Sequence, residues 1–542
     1  MRTTLLPLAF LSVLSLHAQW TTPNVNTPVS DDTGVGATTP LSAPGPEGST
    51  YATWFENVTG EYILKMQRLD ASGNTMWSQG GIIVSAEDQN SALFRYDLKS
   101  DHAGNAIVAF QDERSGVLDV VAYKISPLGL HMWPGGIPLW TQNATGLAPV
   151  IGVLENDRIV FAWNTDRSPP TVAYQIFEPN GTTSGFPLEI GGTGITGRPR
   201  VIAISDGGFW LQYVHQTGNF LSPGTLQVVY CDANGVAGPP ITIATSTVSG
   251  FTFPDPVPDG HDGFYVAFNT GNVANANLTD VCVQRLRGNG TTWNSTGVPV
   301  ENGVLTQRYT GTSTPALMTD DDGLMMVYSF TNLSQSEGGI AVQKIDTAGA
   351  VQFGATGSIV VASTSARPEP FGTQGIGDGV VTAFTTGEFG SETAHALRID
   401  HNGAVVSPPA LIDLATTPSS TDDASMTPFR NGQAVAVWQD ERNGGTIYAQ
   451  PIQLSINTTV AETDDAGILL LGGAQPGLLF QRATAAATLH ITDAQGRLVH
   501  TQRLAPQAEG ARVVLPVERI GHGMYFITLE LPGQRFVKRL VR

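Results

Sequence analysis

Gln111-Asp-Glu-Arg114 is the stretch of this chain whose residue types could do chemistry, because it recurs intact as Gln439-Asp-Glu-Arg442 and in degraded form as Asn164-Thr-Asp-Arg167. Carboxylates that converge from repeated positions can coordinate a cation or act as an acid and base pair. An Asp–Arg pair at a repeated position can equally close a turn or bridge neighbouring repeats. Asp112, Glu113, Arg114, Asp166, Arg167, Asp440, Glu441 and Arg442 are therefore the candidate ligand-binding residues, with turn closure as the competing role. The two intact copies fall in non-adjacent repeats, which argues against one shared site.

Other candidates carry less. Asp320-Asp-Asp-Gly323 has the composition of a calcium loop but lacks the spaced ligands and distal Glu of an EF-hand. Asp259-Gly-His-Asp-Gly263 occupies an equivalent turn, where Asp and Gly are expected anyway. Calcium is the one cofactor these residues could bind; otherwise none is expected. The 10 histidines form no ligand-spaced cluster, and no nucleophile elbow, Walker loop or dinucleotide fingerprint is present. No catalytic residue and no metal ligand is assigned.

The elements that must carry these residues repeat. Trp54, Phe110, Trp163, Tyr213, Phe268, Tyr328, Phe384 and Trp438 each end a short apolar strand, at steps of 50 to 60 residues. Such a period marks a repeat architecture. The clearest unit holds strands at 94–99, 106–110, 119–125 and 137–139, joined by Gly, Asn and Asp turns. The second strand is apolar on both faces, as a strand sandwiched between neighbouring sheets must be. Its aromatic is a core residue. Gly73, Gly129, Gly181, Gly235, Gly290, Gly349 and Gly403 follow the third strand, at a turn that suits a positive φ. Trp77, Trp133, Trp293 and Phe353 follow that turn and are expected at the outer edge of the sheet.

The fold expected is all-β: a propeller of about eight four-stranded blades at residues 19–454. The eighth unit has no evident fourth strand. Residues 20–27 resemble an orphan one, since Trp20 and Val25 are spaced as are Trp77 and Ile82. The N-terminal strand is thus expected to complete the last blade and close the ring. A sialidase assignment does not fit. Asp70-Ala-Ser-Gly-Asn-Thr-Met-Trp77 departs from the Asp-box spacing of that six-bladed family.

Composition agrees with strands and turns: 14% of residues are charged, with 61 Gly and 34 Pro. The net charge of −19 is uneven. From Ala466 onward nine Lys and Arg face four Asp and Glu, a net of +5, so the rest carries −24. An acidic body argues against nucleic acid and against anionic lipid as partners. Residues 1–18 read as a signal peptide: Arg2, an apolar stretch to Leu16, then Ala18. No apolar stretch is long enough to span a bilayer. Cys231 and Cys282 are the only cysteines; they are either two buried thiols or a disulfide.

Residues 455–466 form a polar linker, and 467–542 read as a small β-sandwich-like domain. Leu489-His-Ile-Thr-Asp-Ala-Gln-Gly-Arg-Leu-Val499, Gly523-Met-Tyr-Phe-Ile-Thr-Leu529 and a basic terminal strand resemble the type A C-terminal sorting domain of the type IX secretion system of Bacteroidota. Where such domains open on Tyr-Pro-Asn-Pro, this chain has Ala474-Gln-Pro-Gly477. The Trp-x-Asp-x-Arg arrangement likewise resembles repeats of exported Bacteroidota proteins. The resemblance implies export on the signal peptide, engagement of the type IX machinery through residues 467–542, and release or attachment at the outer-membrane surface. The alternative is an ordinary immunoglobulin-like module. The expected function is a secreted or cell-surface, non-catalytic and monomeric propeller that binds glycan or protein. The competing expectation is an extracellular polysaccharide hydrolase or lyase.

Overall fold

A computed structural model describes residues 20–31, 36–90, 95–140, 145–183, 185–218, 222, 224–248, 255–271, 279–301, 307–309, 316–317, 323–332, 334–376, 378–407, 409–430, 432–454, 468–471, 477–480, 483–493, 497–508, 511–516, 524–531 and 534–541. The signal-peptide residues, the linker, Asp320 to Asp322, Phe94, Ala474 to Pro476 and the tip of the Asp493 hairpin lie outside the described residues. The chain divides into two compact units, Met1–Leu454 and Ser455–Arg542.

The first unit is an eight-bladed propeller. Seven blades are antiparallel meanders in chain order, beginning at Ala37–Pro44, Asp97–Ser100, Gly146–Val153, Ile195–Ala203, Pro256–Pro258, Gln307–Tyr309 and Glu369–Gly375. The eighth holds Thr421–Met426, Gln433–Asp440 and Thr446–Gln453, with Thr27–Pro28 as its outermost strand. All eight repeating aromatics are buried. They sit in apolar clusters that each span two neighbouring blades. The cluster of Trp54, Leu69, Val437 and Ile447 joins blade 8 to blade 1. Burial on both faces is why the second strands lack alternation.

Neighbouring blades are clasped at their outer edges by a repeated device. A buried Gln on the third strand donates to the carbonyl just after the outer aromatic: Gln67 to Ser78 (2.8 Å), Gln284 to Asn294 (2.7 Å) and Gln343 to Gly354 (2.9 Å). The aromatic then reaches the third-to-fourth-strand turn of the next blade. Trp77 Nε1 donates to Pro127 O (3.2 Å) and Trp293 Nε1 to Thr347 O (3.0 Å). A third-strand cation donates to the same two carbonyls, Arg68 to Pro127 (3.0 Å) and Arg285 to Thr347 (3.5 Å). The turn glycine two residues later supplies a left-handed φ and leaves room for the ring. A Cβ on Gly129 (φ +79) would lie 3.2 Å from the Trp77 indole.

The N-terminal segment copies this device. Gln450 Nε2 donates to Thr21 O (2.8 Å), and Trp20 Nε1 donates to Ala71 O in blade 1 (3.0 Å). A Cβ on Gly73 would meet the Trp20 ring at 2.6 Å. Trp20 thus stands where Trp77 and Trp293 stand. The paired strand is shorter and later than the sequence spacing suggests. Thr27 and Pro28 face Ala449 and Tyr448, and the Val29 amide continues to Ile447 O. Val25, the residue matched by spacing, is exposed in the preceding turn, where its amide and that of Asn26 both bond to Thr22 O. That turn is longer than in other blades and buries Asn26 (φ +60), which donates to Leu414 O of blade 7 (2.6 Å) and to Gln450 of blade 8 (3.3 Å).

Cys231 and Cys282 are both free and buried, which settles the alternative left open by the sequence. Burial pushes their thiols up, to about 12 and about 11, so neither is reactive at neutral pH.

The second unit is built of two sheets. One pairs Ile468–Leu471, Gly477–Phe480 and Arg512–Val514; the other holds Ala487–Asp493, Leu498–Leu504, Met524–Leu531 and Gln534–Val541. Phe480, Leu489, Ile491, Ile527 and Leu529 fill its core. Asp493 accepts from Arg497 N (2.8 Å) and Arg497 Nε (2.9 Å), which explains the Asp-x-x-x-Arg spacing as hairpin closure. No helix among the described residues is long and apolar enough to cross a membrane.

Candidate functional site

The recurring Gln-Asp-Glu-Arg stretch begins inside the second strand, not in the loop after it. Gln111 and Asp112 end Ala106–Asp112, Gln439 and Asp440 end Gln433–Asp440, and both aspartates are fully buried. The sequence suggests a solvated loop because four polar residues follow one another. Pairing of Asp112 with Asp119 and of Asp440 with Thr446 keeps the chain extended instead.

Each residue of the stretch has a separate task. The aspartate holds the arginine of its own loop. Arg114 meets Asp112 at 2.6 Å, donates to Gly135 O (2.6 Å) and lies over the Tyr123 ring. Arg442 meets Asp440 at 2.6 Å, lies over the Tyr448 ring at 4.4 Å, and donates to Asn26 Oδ1 (2.8 Å). In blade 8 the pair therefore secures the closing strand. Arg167 instead pairs with Glu189 (2.8 Å), and Asp166 accepts from Thr145 N (2.7 Å). Glu113 accepts from Asn90, and Glu441 from Gln439 (2.9 Å), both at the surface. These eight candidates occupy blades 2, 3 and 8, and the two intact copies are separated by blade 1.

The leading amide points the other way, into the next blade. Gln111 Oε1 accepts from Ala148 N (3.1 Å), Asn164 Oδ1 from Arg198 N (2.7 Å), and Gln439 Oε1 from Thr39 N (3.3 Å) and Thr38 Oγ1 (2.7 Å). Thr39, Ala148 and Arg198 lie on first strands at a register shift, with left-handed φ values of 50, 49 and 59°. Non-glycine residues there are strained by roughly 1–3 kcal/mol each and persist only when held. Asp423 (φ 43°) marks the same bulge in blade 8. Bulges re-aim side chains. The stretch flagged as chemistry is thus the mount of the innermost strands.

Those strands line a central cavity of about 820 Å³, within the range of small-molecule sites. It lies at the face that carries the second-to-third-strand loops, since the first-strand bulges that line it pair with the ends of the second strands. Its wall is charged. Arg95 and Lys99 come from blade 2, Arg198 and Arg200 from blade 4, Asp255 from blade 5, and Glu369 and Asp423 from blades 7 and 8. Arg200 Nε donates to Asp255 Oδ1. Asp97 accepts from Ile151 N (2.8 Å) and lies 3.7 Å from Lys99 Nζ. Enclosure works to raise the Asp255 carboxyl, but Arg200, Arg95 and Lys99 outweigh it and hold the group below its ordinary value. Enclosure lowers Arg198, and enclosure together with the nearby Arg200 charge lowers Arg95. Burial raises Glu369, opposed by Arg367 and reinforced by Glu392. Groups shifted within one cavity are the pattern of a functional site. Among the described residues no cluster of three or more His, Cys, Asp or Glu could hold a metal ion.

No protein-family profile matches this chain. No curated protein matches it either. Among solved structures, it is similar to a family PL25 ulvan lyase bound to -[GlcA(1-4)Rha3S]-, at 8% identity over 80% of this chain and 95% of that one, with a TM-score of 0.46. It is also similar to a protein of unknown function from Dyadobacter fermentans (8% identity, 79% and 97% covered, TM-score 0.36). A third is an α-L-arabinanase from Penicillium chrysogenum complexed with arabinobiose (13% identity, 60% and 98% covered, TM-score 0.37). Identities this low carry no residue correspondence between those proteins and this chain.

Sequence reasoning missed the cavity wall. Its charges lie on or just before first strands, the least regular element of each repeat. The one local signal was the clustering of basic residues around two first strands, Arg95 with Lys99 in blade 2 and Arg198 with Arg200 in blade 4.

Proposed function

We propose that this protein is an exported, non-catalytic propeller that binds a saccharide ligand in its channel mouth. One observation carries the reading: Asp97 and Asp255, the carboxylates beside the basic wall, are held by Lys99, Arg200 and a backbone amide. Carboxylates fixed this way orient a ligand, and the cations beside Asp255 hold its carboxyl below the ordinary value, away from that of a proton donor. The volume suits an oligosaccharide end or a short segment.

The competing reading is a glycan-cleaving enzyme, and Glu369 is the residue that favours it. Glu369 lines the cavity at an accessible position, and partial desolvation there raises its carboxyl, the direction a general acid needs. A glycan panel screened for binding, with reducing-end and unsaturated-product assays on the same panel, separates the two. The expected outcome is binding without turnover. Turnover that disappears in Glu369→Gln while binding persists rejects the non-catalytic reading.

Export through the type IX system rests on the sequence resemblance of residues 467–542 and on the basic charge of that segment. Deleting those residues is expected to leave the propeller folded but retained in the periplasm, as read by surface protease accessibility and fractionation. Unchanged surface display would reject it.

A further inference from the structure

In a ring of eight blades, blade n stands opposite blade n+4. Blades 2 and 4 place Arg95, Lys99, Arg198 and Arg200 on one arc of the channel mouth, and blades 7 and 8 place Glu369 and Asp423 across from it. The cavity is therefore polar from side to side, within a propeller whose remaining charge is strongly negative. Guanidinium groups are donors suited to carboxylate and sulfate oxygens. Carboxylates on the facing arc accept from hydroxyls and repel bare polyanions. One kind of ligand satisfies both arcs, a sugar with one anionic substituent and free hydroxyls.

We infer that the channel mouth is a binding site for anionic saccharides, with the carboxylate or sulfate seated on Arg95, Arg198 and Arg200 and the ring hydroxyls on Glu369 and Asp423. This rests on the saccharide-binding function already proposed and names its ligand class. The bulge gives Arg198 its place. Its amide is fixed by Asn164 at 2.7 Å, so its side chain leaves a strand that would otherwise alternate past this point. Arg200 is set by Asp255 from the next blade, and Lys99 by Asp97 on its own strand. The Arg200–Asp255 pair keeps that guanidinium in place before ligand arrives. The ordering cost of binding falls accordingly. Inorganic sulfate alone lacks the hydroxyls and is expected to bind far more weakly.

The test is calorimetry on the full chain with four probes: an oligogalacturonate, a sulfated galactan oligosaccharide, the desulfated form of the latter, and sodium sulfate. The inference expects at least one charged oligosaccharide to bind ten-fold or more tightly than the neutral one, with affinity falling as salt rises. Which charged probe wins identifies carboxylate or sulfate as the substituent. Arg95→Gln with Arg198→Gln is expected to weaken that binding at least ten-fold. Lys99→Gln, at an exposed position, is expected to weaken it about three-fold without affecting folding. Equal binding of charged and neutral probes overturns the inference and leaves the saccharide-binding reading standing. Binding of no probe, here and across the glycan panel, overturns both. Retention of affinity within two-fold in the double variant at unchanged melting temperature, or in Lys99→Gln should the double variant unfold, moves the site away from these cations.

Discussion

A chain that begins at Asp31 is expected to lose roughly 5 kcal/mol or more of propeller stability and to associate at low concentration. The missing residues hold the outermost strand of blade 8 and one whole copy of the outer-edge clasp. Without them the Gln450 amide loses Thr21 O, Trp20 no longer covers Gly73, and the Ile447 carbonyl loses Val29 N. Asn26 is fully buried and bonds at once to Leu414 O (2.6 Å), Gln450 (3.3 Å) and Arg442 (2.8 Å). Each buried partner left unmade costs about 1–3 kcal/mol, and loss of the buried Val29 side chain adds about 1.5–3. Thr446–Gln453 then becomes an open edge, a template for pairing with another chain. Urea denaturation and light scattering of the two chains check this. An unchanged midpoint with a monomeric product would show that the ring does not depend on its first strand. Asn26→Ala is the smaller form of the experiment, with an expected loss of about 2–4 kcal/mol.

The repeat was legible because burial on both faces leaves a signature in composition. Eight aromatics at one spacing mark the strand between two neighbours, and all eight are buried. The clasp was also written in the chain, as Gln67-Arg68-Leu69, Gln284-Arg285-Leu286 and Gln343-Lys344-Ile345 on third strands. What the spacing misplaced was the closing strand. Trp20 matches its counterparts, but an extra turn around Asn26 shifts the pairing to Thr27. No period can announce an insertion that occurs once.

The channel wall was illegible for a different reason. Gln111, Asn164 and Gln439 act on backbone amides of another blade, and an amide has no residue type to betray it. The bulges they hold fall on Thr39, Ala148 and Arg198, three unrelated residues at one structural position. The charges of the wall come from five blades, separated by whole repeats. A sequence can therefore show that a polar stretch recurs without showing that its first residue serves the channel while its last serves the loop.

Asp101→Ala is expected to destabilise the propeller by about 3–5 kcal/mol, the cost of stranding a buried cation. Asp101 and Lys124 form an ion pair at 2.8 Å with side chains 1% and 3% exposed. Lys124 also donates to Pro179 O of blade 3 (3.2 Å) and lies near the Trp133 ring, so the pair belongs to the clasp between blades 2 and 3. Asp259 and Arg285 repeat it in blade 5 at 2.7 Å. Burial works to raise the Asp101 carboxyl, but bonds from Asn105 and Lys124 and the Lys124 charge outweigh it and hold it below its ordinary value. A carboxyl depressed on folding contributes stability that is complete above its unfolded value, near 3.9, and is lost as pH falls through the lower folded value. The gap between the native chain and Asp101→Ala should therefore be widest at neutral pH and narrow below pH 4. Replacing both partners, Asp101→Ala with Lys124→Met, removes the stranded charge and should recover at least half of the loss at pH 7. If the double variant is instead as unstable as Asp101→Ala alone, the carboxylate matters for the turn it makes with Asn105 (2.7 Å to the amide) and not for the cation. Urea midpoints for the three chains across pH 3.5 to 7.5 check the pH dependence, which both the Asn105 bonds and the ion pair carry. The recovery in the double variant at pH 7 separates the two roles.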